Sequence, residues 1–361
     1  MKFLKKVSNR LFSTSAAGLY IILFAVAIGV ATFIENDFGT SSAQKVIFKS
    51  KWFELLLVLF SITLIVNIFR FRMVQQKKWA ILTFHASMVI IVIGAGVTRY
   101  FGSEGMMGIR EGSASNSFLS AETYLLFQVT HQGKKYAFDE PVLFATLGNN
   151  ALKREYLIGN QPLTLEVTDF VPNPTEVMVD DDKGVPIVKV VIAGMNGREE
   201  YPIKYGDKVN LYGTLFNFGG QEDPQAFNIK YQNDSLYFIA GQTYSQMVMA
   251  TQTSDTLAPG VYHPLRLRSM YSDGQHGFVF GMFTPNGRTE ITSSSPKMAS
   301  TSLGGLHVKI GFGGEEQALF VIGSQGVEGT PRVAPFGNSS VSVAYGAKRV
   351  ALPFAIQLRD F

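Results

Sequence analysis

The sequence predicts a membrane protein with an N-terminal three-helix transmembrane region followed by a large all-β extracytoplasmic domain, sandwich- or barrel-like. Three observations predict it. Three long apolar runs all lie before residue 100. After Arg99 no uninterrupted apolar run approaches the roughly 18 residues that a spanning helix needs. From Tyr100 onward the chain breaks into short segments of β-branched and aromatic residues separated by Gly, Asn, Asp and Pro, which is the pattern of stacked or closed sheets. A composition of 46% hydrophobic and 17% charged residues fits a chain that is part membrane and part soluble.

The first ten residues carry Lys2, Lys5, Lys6 and Arg10, and an apolar run from about Ala16 to Ile34 follows. A secretory leader also begins this way, but its apolar core is shorter, ~7–15 residues, so an uncleaved first span is expected. Within it, Ala25 and Gly29 have the small-xxx-small spacing that lets another helix approach. Residues 35–51 read as a short polar loop containing Glu35, Asp37 and the lysines 45, 49 and 51. The second span runs from about Trp52 to Phe69, with Trp52 placed as an interfacial anchor. A basic loop with Arg70, Arg72, Lys77 and Lys78 leads into the third, from Trp79 to about Thr98. The expected division is therefore a transmembrane region over 1–99 and a β-rich region over 100–361.

The N-terminal segment and the basic loop share one side of the membrane, and together they outweigh Lys45, Lys49 and Lys51. The positive-inside rule then puts both in the cytoplasm and everything after Arg99 outside. The expectation is a multi-pass protein of the cytoplasmic (inner) membrane with a periplasmic β domain.

Strands are expected at Thr123–Thr130, Leu163–Val171, Pro186–Ile192, Asn210–Phe218, Phe227–Tyr231, Ser235–Ala240, Leu306–Ile310, Ala318–Ile322 and Val341–Tyr345. The Ser-, Thr- and Gly-rich stretches Thr251–Gly260 and Thr292–Gly304 read as loops, either of which could divide the β region into subdomains. Leu352–Phe361 reads as a strand that stops abruptly, from which a chain truncated before a further transmembrane helix is expected.

Several function classes drop out. The net charge of +4 is mild and the basic residues flank the apolar runs, so they act as topology determinants and no nucleic-acid partner is expected. With no cysteine there is no thiol redox chemistry, Cys-ligated zinc, iron–sulfur cluster or disulfide. Among the residues of the β region, His131, His263, His276 and His307 lack metal-type spacing. The Asp180–Asp182 triplet lacks the alternation and distal Glu of a calcium loop and reads as a solvated turn. Gly311-x-Gly313-Gly314 opens no helix and supports no dinucleotide site. No nucleophile elbow or phosphate-binding loop is visible, so the chain is not expected to be catalytic alone.

His85 is the residue that remains. It lies six residues inside Trp79, so ~9 Å below that anchor at a rise of ~1.5 Å per residue, in the cytoplasmic half of the third span. An ionisable group at that depth usually faces a bundle interior or binds something. Two readings stand side by side: a ligand to the iron of a haem, or a structural histidine, either bonded to a neighbouring helix or close enough to the headgroups to be wet. The stripe through it, with Met88, Val89, Val92 and Gly96, suits a porphyrin edge and a helix contact equally. A six-coordinate site would need a second axial histidine from elsewhere, because the first two spans contain none.

With these residues assembled, the chain resembles the ResB/CcsB family of cytochrome c biogenesis proteins of System II. The likeness rests on Lys51-Trp52-Phe53 at the start of the second span, Trp79-x5-His85 in the third, and Glu104-Gly105-Met106 with Glu111-Gly112 at the exit. It continues through Thr168-Asp169-Phe170 and through Leu352-Pro353-Phe354 with Leu358-Arg359-Asp360-Phe361. The resemblance implies that His85 is a haem iron axial ligand, cofactor-binding and metal-binding at once, for a transiently held b-type haem. The second ligand would come from a CcsA-type haem-handling partner, separate or fused. It implies a role in moving haem across the membrane for attachment to apocytochrome c, within a cytochrome c haem lyase or synthase complex. Membrane lipid and apocytochrome c are the other partners implied. Two departures matter: with only Trp52 and Trp79 the chain lacks the partner's tryptophan-rich motif, and it lacks the family's return helix. Both fit the front part of a fused ResB–CcsA polypeptide. The competing reading is a membrane-anchored β domain that acts as a non-haem assembly scaffold or binding module.

Overall fold

A computed structural model describes residues 9–194 and 197–360. Lys2, Lys5, Lys6 and Phe361, which enter the expectations above, lie outside the described residues. Three helices are long and apolar enough to cross a membrane: α1 (Thr14–Phe38), α2 (Lys51–Arg70) and α3 (Trp79–Phe101). A serine side chain completes the start of α1 and of α2. Ser13 Oγ accepts from Ala16 N at 3.1 Å and Ser50 Oγ from Phe53 N at 3.4 Å, satisfying N–H groups that would otherwise be unpaired. The small residues that pack are not Ala25 and Gly29, which are exposed, but Ala27 and Ala31. These share a face with Tyr20 and join Ile47, Phe53 and Leu56 in one cluster, so the phase of α1 is set by α2 and the segment between them.

That segment is no polar loop. Thr40–Ala43 forms a short helical turn and Gln44–Phe48 a π-helical one, and Ser42, Ala43 and Ile47 are buried. It docks on the β region: Met298 N donates to Phe38 O at 3.2 Å. Gly39, at φ +89°, lies so close that a Cβ there would stand 1.9 Å from the Met298 carbonyl oxygen. Gly39→Ala should therefore cost roughly 2 kcal/mol or more through backbone strain and displacement of that contact. Limited proteolysis should then cut within 39–50, where the wild type resists.

Lys45 Nζ donates to Asn150 Oδ1, and the Asn150 amide in turn brackets the Ala145 backbone, with Nδ2 donating to Ala145 O at 2.8 Å. Burial pushes the Lys45 ammonium down to about 8 from its ordinary 10.5. Between those two values the unfolded chain holds a proton that the folded one has released, so stability rises with pH across that window and is flat below about 8. The denaturation midpoint in detergent should show this rise, and Lys45→Met should remove it.

The C-terminal end of α3 is clasped to the start of α2. Arg99 donates to Phe48 O at 2.9 Å and Lys49 O at 3.0 Å and faces Glu54 at 3.5 Å; Glu54 also receives Lys51 at 3.1 Å and the Tyr100 hydroxyl. These contacts, with Met298 and Lys45, put the 39–50 connector and the β-sandwich at the same end of the helices, as three crossings require.

The chain divides into two compact units, residues 1–174 with 293–361 and residues 175–292. In the first, two sheets enclose one core. One is built on the long strand Ala114–His131, paired with Lys134–Val142 and Ser339–Gln357 and edged by Gly105–Met106; Arg332–Phe336 closes its other side. The other runs Glu315–Gly323, Gly304–Phe312, Gln161–Pro172, Leu152–Ile158. Alternating residues such as Leu125, Phe127 and Val129 from one sheet meet Leu163, Leu165, Leu306 and Val308 from the other, which is the period-two burial of a sandwich. The expected strand Leu352–Phe361 is the end of the longer strand Ser339–Gln357, which stops at Gln357; beyond it Leu358 N donates to Ser113 O at 3.1 Å and Gly112 N to Leu358 O at 2.8 Å.

The second unit holds a five-stranded and a six-stranded sheet around Phe216, Phe227, Phe238, Tyr271, Phe278 and Phe280. One pair among the described ladders is parallel, Thr214–Phe218 with Phe227–Gln232. The expected strand Asn210–Phe218 is two, Lys208–Leu211 and Thr214–Phe218, joined at Tyr212 (φ +49°) and Gly213 (φ +93°). Positive φ at both turn positions is the geometry that matches strand twist in a tight hairpin. The expected loop Thr251–Gly260 contains an edge strand, Thr253–Leu257, paired with Tyr244–Val248. It shows no alternation because it is exposed along nearly its whole length, and the ladder alone defines it. Asp180–Asp182 likewise is no turn but part of the strand Pro174–Gly194, with Asp180 accepting from Thr284 Oγ1 at 2.7 Å and Asp181 facing Arg288 at 3.2 Å.

Candidate functional site

Helix α3 has no buried residue, yet it is not uniformly exposed. Leu82, His85, Met88, Val89, Val92, Gly96 and Arg99 are half-buried, whereas Phe84, Ile90, Ile91, Ile93 and Val97 are open. The half-buried residues recur at three- and four-residue intervals, so they form one stripe of the helix, and α3 packs on α2. The stripe that surrounds His85 in the sequence is thus a real surface. It is also a smooth one: a Cβ added at Gly94 or Gly96 would meet nothing within 4 Å.

His85 Nδ1 lies 2.9 Å from the Ile81 carbonyl oxygen, one turn back. A carbonyl can only accept, so Nδ1 carries the proton and donates. The ring's other nitrogen, Nε2, points away from that bond, and among the described residues nothing hydrogen-bonds to it. The Phe84 ring stands edge-on at 5.9 Å. This is the arrangement that a metal-ligating histidine uses: one nitrogen fixed on a carbonyl, the other offered outward. The bond to Ile81 also lowers the cost of a polar ring within an apolar helix, which helps to account for a histidine at this depth.

The chemistry of the donor set fits a haem and does not fit a bare metal ion. Among the described residues no three His, Cys, Asp or Glu side chains converge, so a polydentate ion site is not built. Haem iron asks for only one imidazole per face, and the apolar, glycine-smoothed stripe matches the body of a porphyrin.

The other histidines are tied up locally. His131 Nδ1 pairs with Ser339 Oγ at 2.7 Å, and His263 Nε2 with Ala258 O at 2.9 Å. His276 faces Asp273 at 3.2 Å, and His307 packs on Phe320 at 4.8 Å. What sequence reasoning missed is polar and lies on α2. Among the described residues Ser61 Oγ and Asn67 Oδ1 are buried there without a hydrogen-bond partner, and Thr63 is fully buried. An asparagine inside an apolar run was the available signal. The exit clasp of Glu54, Arg99 and Tyr100 was missed as well, since its parts lie 45 residues apart in sequence.

No family model matches the chain. A stretch of 152 residues, 42% of the chain, is 40% identical to the protein NrfI of Wolinella succinogenes. The match spans 16% of the length of NrfI, well under two thirds of it.

Proposed function

We propose that this chain is part of a System II cytochrome c maturation protein of ResB/CcsB type, and that His85 is an axial ligand to a haem held within the membrane. The observation that carries the reading is the Nε2 of His85, to which nothing hydrogen-bonds among the described residues, on a spanning helix whose stripe around it is apolar. The similarity to NrfI over 152 residues adds support. The bound haem would supply an iron centre that His85 and a histidine of a CcsA-type partner hold between them. This chain's own part is to fix the imidazole through Ile81, turn Nε2 outward from that bond, and present an apolar face.

The proposed orientation is that of the positive-inside rule, with the β region periplasmic in the inner membrane. The outer lysines that count against it are engaged: Lys45 by Asn150, Lys49 by Glu122 at 3.2 Å and Lys51 by Glu54. In this reading the external β region supports the partner and the incoming apocytochrome c. Co-expression with a CcsA-type partner tests it. Purified membranes of the complex should show a Soret band and mature cytochrome c; a complex that assembles without haem would instead favour the non-haem scaffold.

A further inference from the structure

A polar cleft opens where α3 leaves the membrane. It encloses about 500 Å³ and is lined by Lys49, Thr98, Arg99, Ser103, Glu104 and Glu122 among others. A neighbouring cavity of about 190 Å³ shares Gln44, Lys49 and Glu122 with it and extends it over the sandwich. Its lower wall is Ala95 and Thr98, on a helix apolar enough to span, so the cleft is continuous with the lipid-facing surface of α3. Trp52 and Tyr100, both exposed at this end of the helices, mark the depth of the headgroups.

The charges in the cleft are of both signs and unequally engaged. Arg99 spends its guanidinium on the carbonyls of Phe48 and Lys49 and on Glu54. Lys49 makes one bond, to Glu122, and has two ammonium hydrogens left. The Glu104 carboxylate makes no side-chain hydrogen bond among the described residues, although its backbone oxygen receives Ala121 N at 2.8 Å. A cation with spare donors beside carboxylates with spare acceptors, at headgroup depth and open to hydrocarbon, is complementary to a zwitterion on an acyl tail.

We propose that this cleft binds the headgroup of a phospholipid that carries a primary ammonium. Lys49 takes the phosphate, Glu104 and Glu122 take the ammonium, and the acyl chains run down α3 past Ala95. A primary ammonium donates three hydrogen bonds and a quaternary one none, so phosphatidylethanolamine is favoured over phosphatidylcholine.

The full chain in mild detergent, stripped of lipid, can be titrated with the two lipids of identical acyl composition and read by native mass spectrometry. The wild type should retain phosphatidylethanolamine about fivefold more tightly, the scale of one partly exposed charge contact. Lys49→Ala should weaken both lipids. The double variant Glu104→Gln, Glu122→Gln should lose the preference while keeping phosphatidylcholine retention. All three side chains are substantially exposed, and unchanged circular dichroism would confirm the fold. Equal retention of the two lipids by the wild type, or a preference that survives the double variant, would overturn the assignment. Displacement by soluble phosphoethanolamine at matched concentration would also overturn it, because the ligand would then be no lipid.

Discussion

His85→Ala should abolish the b-type Soret band of the co-purified complex and, with it, most of the cytochrome c maturation that depends on the chain. The expected loss is large because a single imidazole supplies this chain's proposed contribution to the iron, and the three spans hold no second histidine. The substitution should leave the fold intact: His85 is only half-buried, and its one hydrogen bond among the described residues lies within its own helix. His85→Gly gives a sharper readout. Added imidazole should partly restore the band there and do nothing in a variant of another histidine, such as His307→Ala. A purely structural His85 predicts the reverse, an unchanged band with a lowered melting temperature.

Phe227→Ala should destabilise the inserted unit by about 3–5 kcal/mol. Phe227 is 1% exposed, stacks on Phe238 at 4.4 Å, and meets the rings of Tyr244, Phe278 and Phe280 at 5.1 to 5.5 Å. Removing it deletes the hub of an aromatic cluster whose offset and edge-on contacts contribute beyond their area. For residues 175–292 taken as a cooperative unit, the expected shift in melting temperature exceeds 10 °C on the order of ~4–8 °C per kcal/mol. Calorimetry should find that transition lowered while any transition of the first unit stays in place, since the two cores share no residue. The Soret band should also survive, because His85 belongs to the first unit. Coincident loss of both would show that haem retention needs the inserted unit.

The sequence by itself determined the three spans, since a bilayer demands about 20 apolar residues in one run and the count is visible without coordinates. It also determined most strand positions, because a sheet with one buried face imposes a period of two, as in Leu125, Phe127 and Val129. It isolated His85 for a related reason: in an apolar helix a lone imidazole stands out. Where an element is defined by its partner, the sequence was silent. Thr253–Leu257 is polar and is a strand only through its ladder, and Asp180–Asp182 became strand rather than turn by pairing with residues a hundred positions away. Ala27 and Ala31, rather than Ala25 and Gly29, face the helix contact because tertiary packing set the phase of α1. The 39–50 connector reads as solvated, yet it is buried against Met298 and Asn150. Only the tertiary structure decided the His85 tautomer. A bond to Ile81 leaves no trace in composition or spacing, but it is what fixes the ring and leaves Nε2 without a hydrogen-bond partner among the described residues.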